Sequence, residues 1–396
     1  MKMMLNKVIV LLICVAFGLT VLSACGAQQT TQTGQEGQTA AEVQKTEAAA
    51  TNDVFDYSSV SVLKTDPDFS EGAYFYKDLK EIWGKIPVPD REIKIGYIVK
   101  SLDNSFWQAI KKGVDEEAKN LQDAGMKVTV DVRAAQGESD QQGQLSIMMD
   151  MINKKYDAIV FNAISDANLV PGIEAAQEAG IIVVTGNQRF DGEPKVPCFF
   201  GDSEYTAGTI AADYIAKKLG DNGGDITIVS GIANNSAARS RTQSFEEEIK
   251  KLNNPNIKVV DIQNADWDRS KAKDVVDIQL KKFPNLKAVF CNNDTMAMGA
   301  LEAVRDAGKL GDVIVAGVDA TDEGIASIKK GELAVTVASS PFLYGRIGLE
   351  IALRALAGQN LPEKILGPYN IVDKDNVNMS DKELWGWKEL EYEKVN

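Results

Sequence analysis

The chain has 396 residues, of which 57 are acidic, 43 are basic and none is histidine, so its formal net charge is -14. One hydrophobic core stops growing at roughly 250 to 300 residues, so a chain of this length is expected to form at least two lobes. The lack of histidine excludes serine or cysteine triads with an imidazole base and zinc sites built on imidazole. The acidic surplus argues against nucleic acid as a partner, because phosphates require a basic surface.

The first 24 residues have the pattern of a secretory signal peptide, with Lys2 and Lys7 before an apolar run that ends in Leu22-Ser23-Ala24-Cys25. This ending resembles the bacterial lipobox, in which a signal peptidase cuts before the cysteine and the thiol receives diacylglycerol. The resemblance predicts a lipoprotein anchored through Cys25 to the outer face of the cell membrane. Membrane contact would come from the lipid anchor only, because an acidic chain repels anionic lipid. An ordinary signal with a chance cysteine is the alternative.

Two further segments precede the first regular pattern. Residues 25–52 are rich in Gln, Thr, Ala and Gly and hold no aromatic residue, which is typical of a flexible tether. Residues 53–90 are rich in aromatic side chains and end at Pro87-Val88-Pro89. We expect a packed N-terminal extension there, whose structure and role the sequence does not define.

From residue 91 onward, short apolar runs alternate with amphipathic stretches of helical length. Ten strands are predicted, at residues 93–99, 127–132, 157–161, 181–185, 198–201, 225–230, 257–262, 288–291, 313–318 and 333–338. Helices lie between most of them, for example at residues 105–124, 207–219 and 270–283. Strands that alternate with helices predict βαβ units and parallel sheets covered on both faces.

The ten strands fall into two sets of five, with breaks near Asp202 and Ser339. We therefore predict an α/β fold with two doubly wound parallel-sheet lobes joined by a hinge. The N-terminal lobe would comprise residues 91–201 and 340–368, and the C-terminal lobe residues 202–339 and 369–380. Residues 381–396 would form a C-terminal tail, and the helical stretch at 342–356 would return to the first lobe.

Two cysteines, Cys198 and Cys291, remain once the signal peptide is removed and Cys25 is lipidated. Both lie in apolar runs typical of strands, which favours buried free thiols. A disulfide between them is the less favoured alternative. A nucleophilic role is not expected, because no histidine is present to accept the proton of the thiol.

Ligands of open parallel sheets bind beyond the carboxyl ends of the strands. The residues at those positions lie at 100–107, 162, 187–189, 234–241, 266–269, 292–294 and 319, and they are rich in Asn, Arg, Asp and Trp. Such side chains suit a polyhydroxylated ring. Aromatic faces cover its C–H surfaces, while amide, guanidinium and carboxylate groups bond hydroxyls that would otherwise be buried without partners.

Several blocks carry a resemblance to a known family: VKSLDNSFW at 99–107, SAAR at 236–239, ADWDR at 265–269, NNDTMAMG at 292–299, VAGVD at 315–319 and NIVDKDNV at 370–377. With these blocks, residues 93–377 resemble the type I periplasmic sugar-binding proteins of ABC transporters, close to the ribose- and allose-binding members. The resemblance implies the periplasmic binding protein type I fold, with a sugar enclosed between two lobes.

The resemblance also implies ligand contacts. Aromatic and amide side chains would stack on the sugar or bond it: Phe106, Trp107, Trp267, Asn104, Asn162 and Asn293. Arg239 would donate a forked pair of hydrogen bonds, and Asp319 would accept from two hydroxyls. Lys100 stands where allose-type members have lysine, which favours a pyranose. Core packing of Trp107 and helix capping by Asn162, Asn293 or Asp319 are the structural alternatives.

Two positions depart from the family pattern. Asn187 stands where an aspartate is usual, and Ser339 stands where a glutamine is expected. With Lys100 and Arg239 positive and only Asp319 negative, we expect a pocket less acidic than in the relatives. A sugar acid or another modified polyol therefore stays open as the ligand.

The resemblance implies a monomeric binding protein, without catalysis, cofactor or metal, that closes on a monosaccharide and delivers it to the membrane permease of an ABC transporter. A sensor for a sugar, a modified polyol or a furanosyl signal is the main alternative. A glycosidase that uses two carboxylates among Asp266, Asp268, Asp294 and Asp319 is less favoured. A transcription factor of the same fold would need an N-terminal helix-turn-helix, in place of which this chain has a tether.

Overall fold

The structure is a computed structural model that describes residues 55–60, 62–63, 69, 72–165, 167–187, 194–338, 340–367, 369–385 and 388–395. The predicted signal peptide, Cys25, the tether and Ser339 lie outside these residues. Every helix in the described part of the chain is too short or too polar to traverse a lipid bilayer.

The described elements alternate along the chain as the sequence predicts. The strands are β1 (Val62–Leu63), β2 (Ala73–Phe75), β3 (Ile86–Pro89), β4 (Ile93–Val99), β5 (Val128–Ala134), β6 (Ala158–Phe161), β7 (Ile182–Gly186), β8 (Phe199–Gly201), β9 (Gly224–Ser230), β10 (Ile257–Asn264), β11 (Leu286–Cys291), β12 (Ile314–Val318), β13 (Val335–Ala338), β14 (Lys364–Leu366), β15 (Asn370–Asp373) and β16 (Tyr392–Val395). The α-helices are α1 (Tyr76–Trp83), α2 (Ser105–Asp123), α3 (Gln141–Asn153), α4 (Val170–Glu178), α5 (Glu204–Leu219), α6 (Ser236–Leu252), α7 (Arg269–Lys282), α8 (Asp294–Asp306), α9 (Asp322–Lys329), α10 (Pro341–Leu356) and α11 (Asp381–Trp385).

Two sheets divide these strands. The first lobe holds the order β1-β2-β14-β8-β7-β6-β4-β5, and the second holds β10-β9-β11-β12-β13-β15. The pairs within both sheets are parallel except at one edge of each, where β1 runs antiparallel to β2 and β15 antiparallel to β13. The apolar runs that form the central strands, such as β4, β6, β11 and β12, are buried on both faces because helices cover each sheet. All ten predicted strands are present, with ends that differ by two residues or fewer, and the two-lobed α/β fold is confirmed.

Helix α10 packs against α2 in the first lobe through glycines on both helices. A Cβ at Gly113 would lie 1.9 Å from the carbonyl oxygen of Phe342, and a Cβ at Gly345 would lie 2.2 Å from that of Ile110. The two backbones can therefore approach more closely than side chains would allow. This contact brings the chain from the second lobe back to the first.

The N-terminal extension and the C-terminal tail are built into the first lobe. β2 pairs with β14 at the edge of the first sheet, and β3 pairs with β16 in a separate parallel ribbon. The Tyr392 hydroxyl on β16 donates to Glu117 on α2. On α10, the buried Arg354 donates to the backbone carbonyls of Trp83 and Gly84, at 3.2 and 3.0 Å. Side chains from both ends of the chain thus complete the core around α2 and α10.

The chain passes between the lobes between β8 and α5, between β13 and α10, and between β14 and β15. These connections lie close to the carboxyl ends of β8, β13 and β14. They form the hinge, and they leave the facing ends of the two sheets free to line a cleft.

Candidate ligand-binding cleft

A cavity with about 360 Å³ of non-atom space, part of it open to solvent, lies between the lobes. Residues at strand ends and helix starts of both lobes line it: Lys100, Asn104, Phe106, Trp107, Glu138 and Asn187 from the first, and Asn235, Ala237, Arg241, Trp267, Asn293 and Asp319 from the second. Eight of the residues chosen from the sequence are among them: Lys100, Asn104, Phe106, Trp107, Asn187, Trp267, Asn293 and Asp319.

The start of α2 forms one wall of the cavity. Asn104 caps this helix, since its Oδ1 accepts from the backbone N–H of Phe106 at 2.9 Å. The rings of Phe106 and Trp107 are nearly perpendicular, with centroids 4.8 Å apart. Lys100 places its Nζ 5.3 Å from the centre of the Trp107 ring. Asn104 therefore both caps the helix and faces the cavity, so the structural and the ligand-facing interpretations of this residue hold together.

Glu138 is a cavity residue that the sequence analysis missed. It lies in the loop between β5 and α3, and its Oε1 accepts from the Trp107 indole N–H and, at 3.2 Å, from Asn104 Nδ2. Burial raises the pKa of Glu138, while the Lys100 charge and these two hydrogen bonds act in the opposite direction. Its position beyond the carboxyl end of β5 was the signal that could have identified it.

Asn187 follows β7 and has a left-handed backbone, with φ of 58°. Its backbone N–H donates to the carbonyl oxygen of Phe200 at 2.8 Å, which holds the turn against β8. Asparagine adopts this conformation more readily than most residues. The turn places this residue at the cavity wall.

On α6, the structure places Arg241 rather than Arg239 in the cavity. Arg239 is exposed and donates to the backbone carbonyl of Ala233 at 3.4 Å. Residues two positions apart lie on different faces of a helix, and the buried face of α6 carries Ala237, Ala238 and Arg241. The prediction for Arg239 is therefore corrected to Arg241. The spacing of apolar residues along α6 was the signal that could have distinguished the two.

Arg241 links buried polar groups on the second-lobe side of the cavity. Its Nε donates to Glu204 at 2.5 Å, and its Nη1 donates to the carbonyl of Asn292 at 2.6 Å and lies 3.5 Å from an Asp319 carboxylate oxygen. Burial lowers the pKa of Arg241, but the charges of Glu204 and Asp319 raise it above its ordinary value. Burial also raises the pKa of Asp319 well above its usual range, although Arg241 opposes that shift.

The ring of Trp267 lies close to the backbone of the second lobe at Gly231. Its own φ is 65° and that of Asp266 is 52°, so the turn after β10 is left-handed at two non-glycine residues. A Cβ at Gly231 would lie 2.3 Å from the Trp267 ring, so only glycine leaves room for the indole. Backbone strain of this kind is maintained where the surrounding structure over-determines it, often at binding sites.

Asn162, in contrast, lies outside the cavity lining. Its side-chain Nδ2 donates to the backbone carbonyl of Ile98 at 3.2 Å. Its backbone carbonyl accepts from the side-chain amide of Gln144 at 2.8 Å. The residue therefore ties β4 to α3 within the first lobe. The prediction of a direct ligand contact is corrected to a structural role at this position.

Asn293 and Thr295 lie at the start of α8, opposite Asn104. Asn293 caps this helix by accepting from the backbone N–H of Met296 at 2.9 Å, and it also lines the cavity. The Thr295 hydroxyl donates to Asn104 Oδ1 at 3.3 Å. This hydrogen bond joins the two lobes across the cleft.

Two charged residues of the cavity differ from those chosen from the sequence. Arg241 takes the place of Arg239 as the second cation, and Glu138 adds a carboxylate to the wall, with Glu204 paired to Arg241. The lining therefore contains one more carboxylate than the sequence identified. In the part of the chain that the structure describes, no group of three or more His, Cys, Asp or Glu side chains could hold a metal ion.

Cys198 and Cys291 are both free and buried, which confirms the favoured prediction. Burial raises the pKa of each thiol above its ordinary value. The two residues therefore act as small apolar side chains in the cores of the two lobes.

Residues 95–360 match the family model of the periplasmic binding protein domain. This chain belongs to that family. The D-allose-binding periplasmic protein of Escherichia coli is 37% identical over 283 residues, which cover 70% of this chain and 89% of that protein. The ribose import binding protein of Bacillus subtilis is 34% identical over 281 residues, covering 71% of this chain and 87% of that protein.

Solved structures share the fold. A periplasmic solute-binding protein of an ABC transporter from Actinobacillus succinogenes, with bound D-allose, gives a TM-score of 0.67 at 26% identity and covers 72% of this chain and 99% of its own. The fructose-binding periplasmic domain of a hybrid two-component system gives 0.66 at 26% identity and covers 72% and 92%. The resemblance to type I periplasmic sugar-binding proteins is thereby confirmed, and the chain is a substrate-binding protein rather than an enzyme.

Proposed function

We propose that this chain binds a neutral monosaccharide of the allose or ribose type between its lobes and delivers it to the permease of an ABC transporter. The observation that carries the proposal is a cavity lined by aromatic side chains of both lobes, Trp107 from the first and Trp267 from the second. Amide, guanidinium and carboxylate groups surround them. A sugar ring has two C–H faces and a rim of hydroxyls, and this arrangement suits both.

The balance of charge supports a neutral ligand. Lys100 and Arg241 are the cations of the cavity lining, and Glu138 and Asp319 are its carboxylates. Arg241 is further neutralised by Glu204. The two cations of this lining are already balanced by its two carboxylates. A carboxylated sugar would therefore add a negative charge in excess, and burying an unpaired charge is costly.

Residues of both lobes contribute to the cavity, so a ligand contacts all of them only when the lobes are closed. Binding shifts a hinge equilibrium by the difference in ligand affinity between the open and closed forms. We propose that the closed, sugar-bound form is the one presented to the permease, and that the protein acts as a monomer.

The decisive experiment is the mass of any small molecule released when freshly purified protein is denatured. It should be followed by isothermal titration calorimetry with D-allose, D-ribose, D-fructose, myo-inositol and a wider panel of sugars and polyols. A monosaccharide mass and saturable binding at a 1:1 ratio are expected. The absence of any response across the panel would refute the sugar assignment.

A sugar sensor is a second candidate, because the fructose-binding domain of a two-component system shares the fold. Uptake of the radiolabelled sugar by cells that lack this chain separates the two functions. A transport component predicts loss of uptake, whereas a sensor predicts unchanged basal uptake and a lost transcriptional response.

We also propose that the mature chain begins at a lipidated Cys25. The expected result is that the wild-type protein fractionates with membranes and carries the mass of a diacylglycerol group. Cys25→Ser should remove both properties while the sugar affinity stays unchanged. Membrane association that survives this substitution would contradict the anchor.

A further inference from the structure

Glu138 connects the ligand-facing groups of the first lobe. Its Oε1 accepts from the Trp107 indole N–H and from Asn104 Nδ2. Trp107 is buried, and without this acceptor its N–H would lack that hydrogen bond, which is unfavourable for a buried donor. The carboxylate therefore sets the orientation of the indole that forms one wall of the cavity.

The same contact fixes the Asn104 amide. Its Oδ1 accepts from the backbone N–H of Phe106 and from the Thr295 hydroxyl of the second lobe, while its Nδ2 donates to Glu138. An amide with both ends assigned has one preferred orientation. Glu138 thereby fixes the orientation of the Asn104 amide relative to the start of α2, to the ligand and to the second lobe.

Glu138 also balances Lys100. Lys100 is 4% exposed, lines the cavity and lies above the Trp107 ring. Its charge lowers the pKa of the Glu138 carboxyl, against the effect of burial. If Glu138 were neutral, the first-lobe wall would carry a net positive charge and attract a carboxylate. With Glu138 ionised, that wall has no net charge.

We infer that Glu138 selects the ligand: it positions Trp107 and Asn104 against the sugar ring, and its charge beside Lys100 restricts the cavity to neutral polyhydroxylated molecules and excludes carboxylated sugars. This inference rests on the proposed sugar-binding function. Glu138 acts in part through other residues, so it is a positioning residue as well as a determinant of ligand charge.

The test compares wild-type protein with Glu138→Gln, which keeps an acceptor and removes the charge, and with Glu138→Ala, which removes both. Asp103→Asn is the matched control, because Asp103 is an exposed carboxylate at the cleft mouth that does not line the cavity. Calorimetry uses D-allose and D-ribose as neutral probes, and D-ribonate and D-glucuronate as anionic probes.

Glu138→Gln is expected to weaken binding of the neutral probes by about threefold to tenfold and to strengthen binding of an anionic probe by at least about tenfold. Glu138→Ala should weaken neutral binding by more than about thirtyfold, and Asp103→Asn should stay within about twofold for all probes. If Glu138→Gln and Asp103→Asn behave alike, the role in ligand selection is overturned.

A readout without ligand separates this inference from the proposed function. The indole N–H resonance of Trp107, assigned with Trp107→Phe in ¹H–¹⁵N spectra, should shift in Glu138→Ala and shift less in Glu138→Gln. An unchanged resonance in Glu138→Ala would overturn the positioning role. Failure of the wild-type protein to bind any probe would refute the proposed function but leave this resonance test intact.

Discussion

At the floor of the cleft, the guanidinium of Arg241 serves two buried carboxylates. Glu204 accepts from it directly, and Asp319 lies 3.5 Å away. A buried ion pair adds little net stability, because desolvation offsets the attraction, but removal of one partner leaves an uncompensated charge. The same guanidinium faces the cavity, so ligand binding and local stability depend on one residue.

Arg241→Ala should therefore lower the free energy of unfolding by about 3 to 5 kcal/mol. It should also weaken sugar binding by at least about 100-fold, because the guanidinium that we propose to bond the ligand is removed from the cavity lining. Urea denaturation and calorimetry measure the two effects. Arg239→Ala, two residues away on the exposed face of α6, is the control and should change sugar affinity less than about twofold. The opposite ranking of the two variants would contradict the placement of α6.

Asp294 gives a prediction about pH. It is fully buried, and one of its carboxylate oxygens accepts from the Thr321 backbone N–H at 2.9 Å and from the Thr321 hydroxyl at 3.2 Å. Burial raises its pKa to about 7, although the hydrogen bonds from Thr336 and Thr321 oppose the shift. The unfolded carboxyl titrates near 3.8, so between about pH 4 and pH 7 the folded state holds a proton that the unfolded state has lost. The contribution of Asp294 to the free energy of unfolding therefore falls as pH rises through that window.

Relative to Asp294→Asn, the wild-type protein should lose unfolding free energy between pH 5 and pH 7, with a slope of at most about 1.4 kcal/mol per pH unit. Urea denaturation of both proteins at pH 5, 6, 7 and 8 measures the difference, and the difference should level off above pH 8. A stability difference that does not vary with pH would show that this carboxyl titrates normally.

Among the helices and strands, the contact between α2 and α10 sets the shape of the first lobe. The glycines at this contact allow the two backbones to touch, and both helices also form hydrogen bonds with the terminal segments of the chain. These segments, residues 72–89 and 388–395, lie outside the part of the chain that matches the family model. The first lobe thus carries an additional layer that braces α2, the helix whose start forms a wall of the cavity.

Gly113→Ala should lower the free energy of unfolding by about 2 to 3 kcal/mol, although alanine is the better helix former. A Cβ there meets the Phe342 backbone, which has no side-chain freedom with which to yield. Gly172→Ala on α4 is the matched control, because its Cβ meets the flexible Met148 side chain and should cost less. Urea denaturation checks the order of the two variants, and equal losses would contradict the close backbone contact.

For the whole molecule, function depends on closure of one lobe on the other. The hydrogen bond from Thr295 to Asn104 joins the lobes, so it exists only in the closed arrangement. An interaction that forms only on closure stabilises the closed form. It therefore increases ligand affinity, although this hydrogen bond does not itself include the ligand.

Thr295→Val should weaken sugar binding by about twofold to tenfold, because it removes one hydrogen bond while preserving side-chain shape. The change should appear mainly as faster dissociation, since the bond forms after the encounter with the ligand. Stopped-flow tryptophan fluorescence measures both rates. Thr295→Ser keeps the hydroxyl and should stay near the wild-type affinity. An unchanged dissociation rate in Thr295→Val would exclude a role for this bond in closure.

The sequence by itself determined the alternation of strands and helices, the division into two lobes and most of the strand-end residues, because apolar periodicity and strand-end chemistry are local properties. Only the tertiary structure decided the choice of Arg241 over Arg239, since this depends on which face of α6 packs inward. It also decided that Glu138 reaches Trp107 and that Asn162 does not reach the cavity. The pairing of β3 with β16 joins residues about 300 positions apart, and such pairing is set by packing of the whole fold rather than by any local pattern.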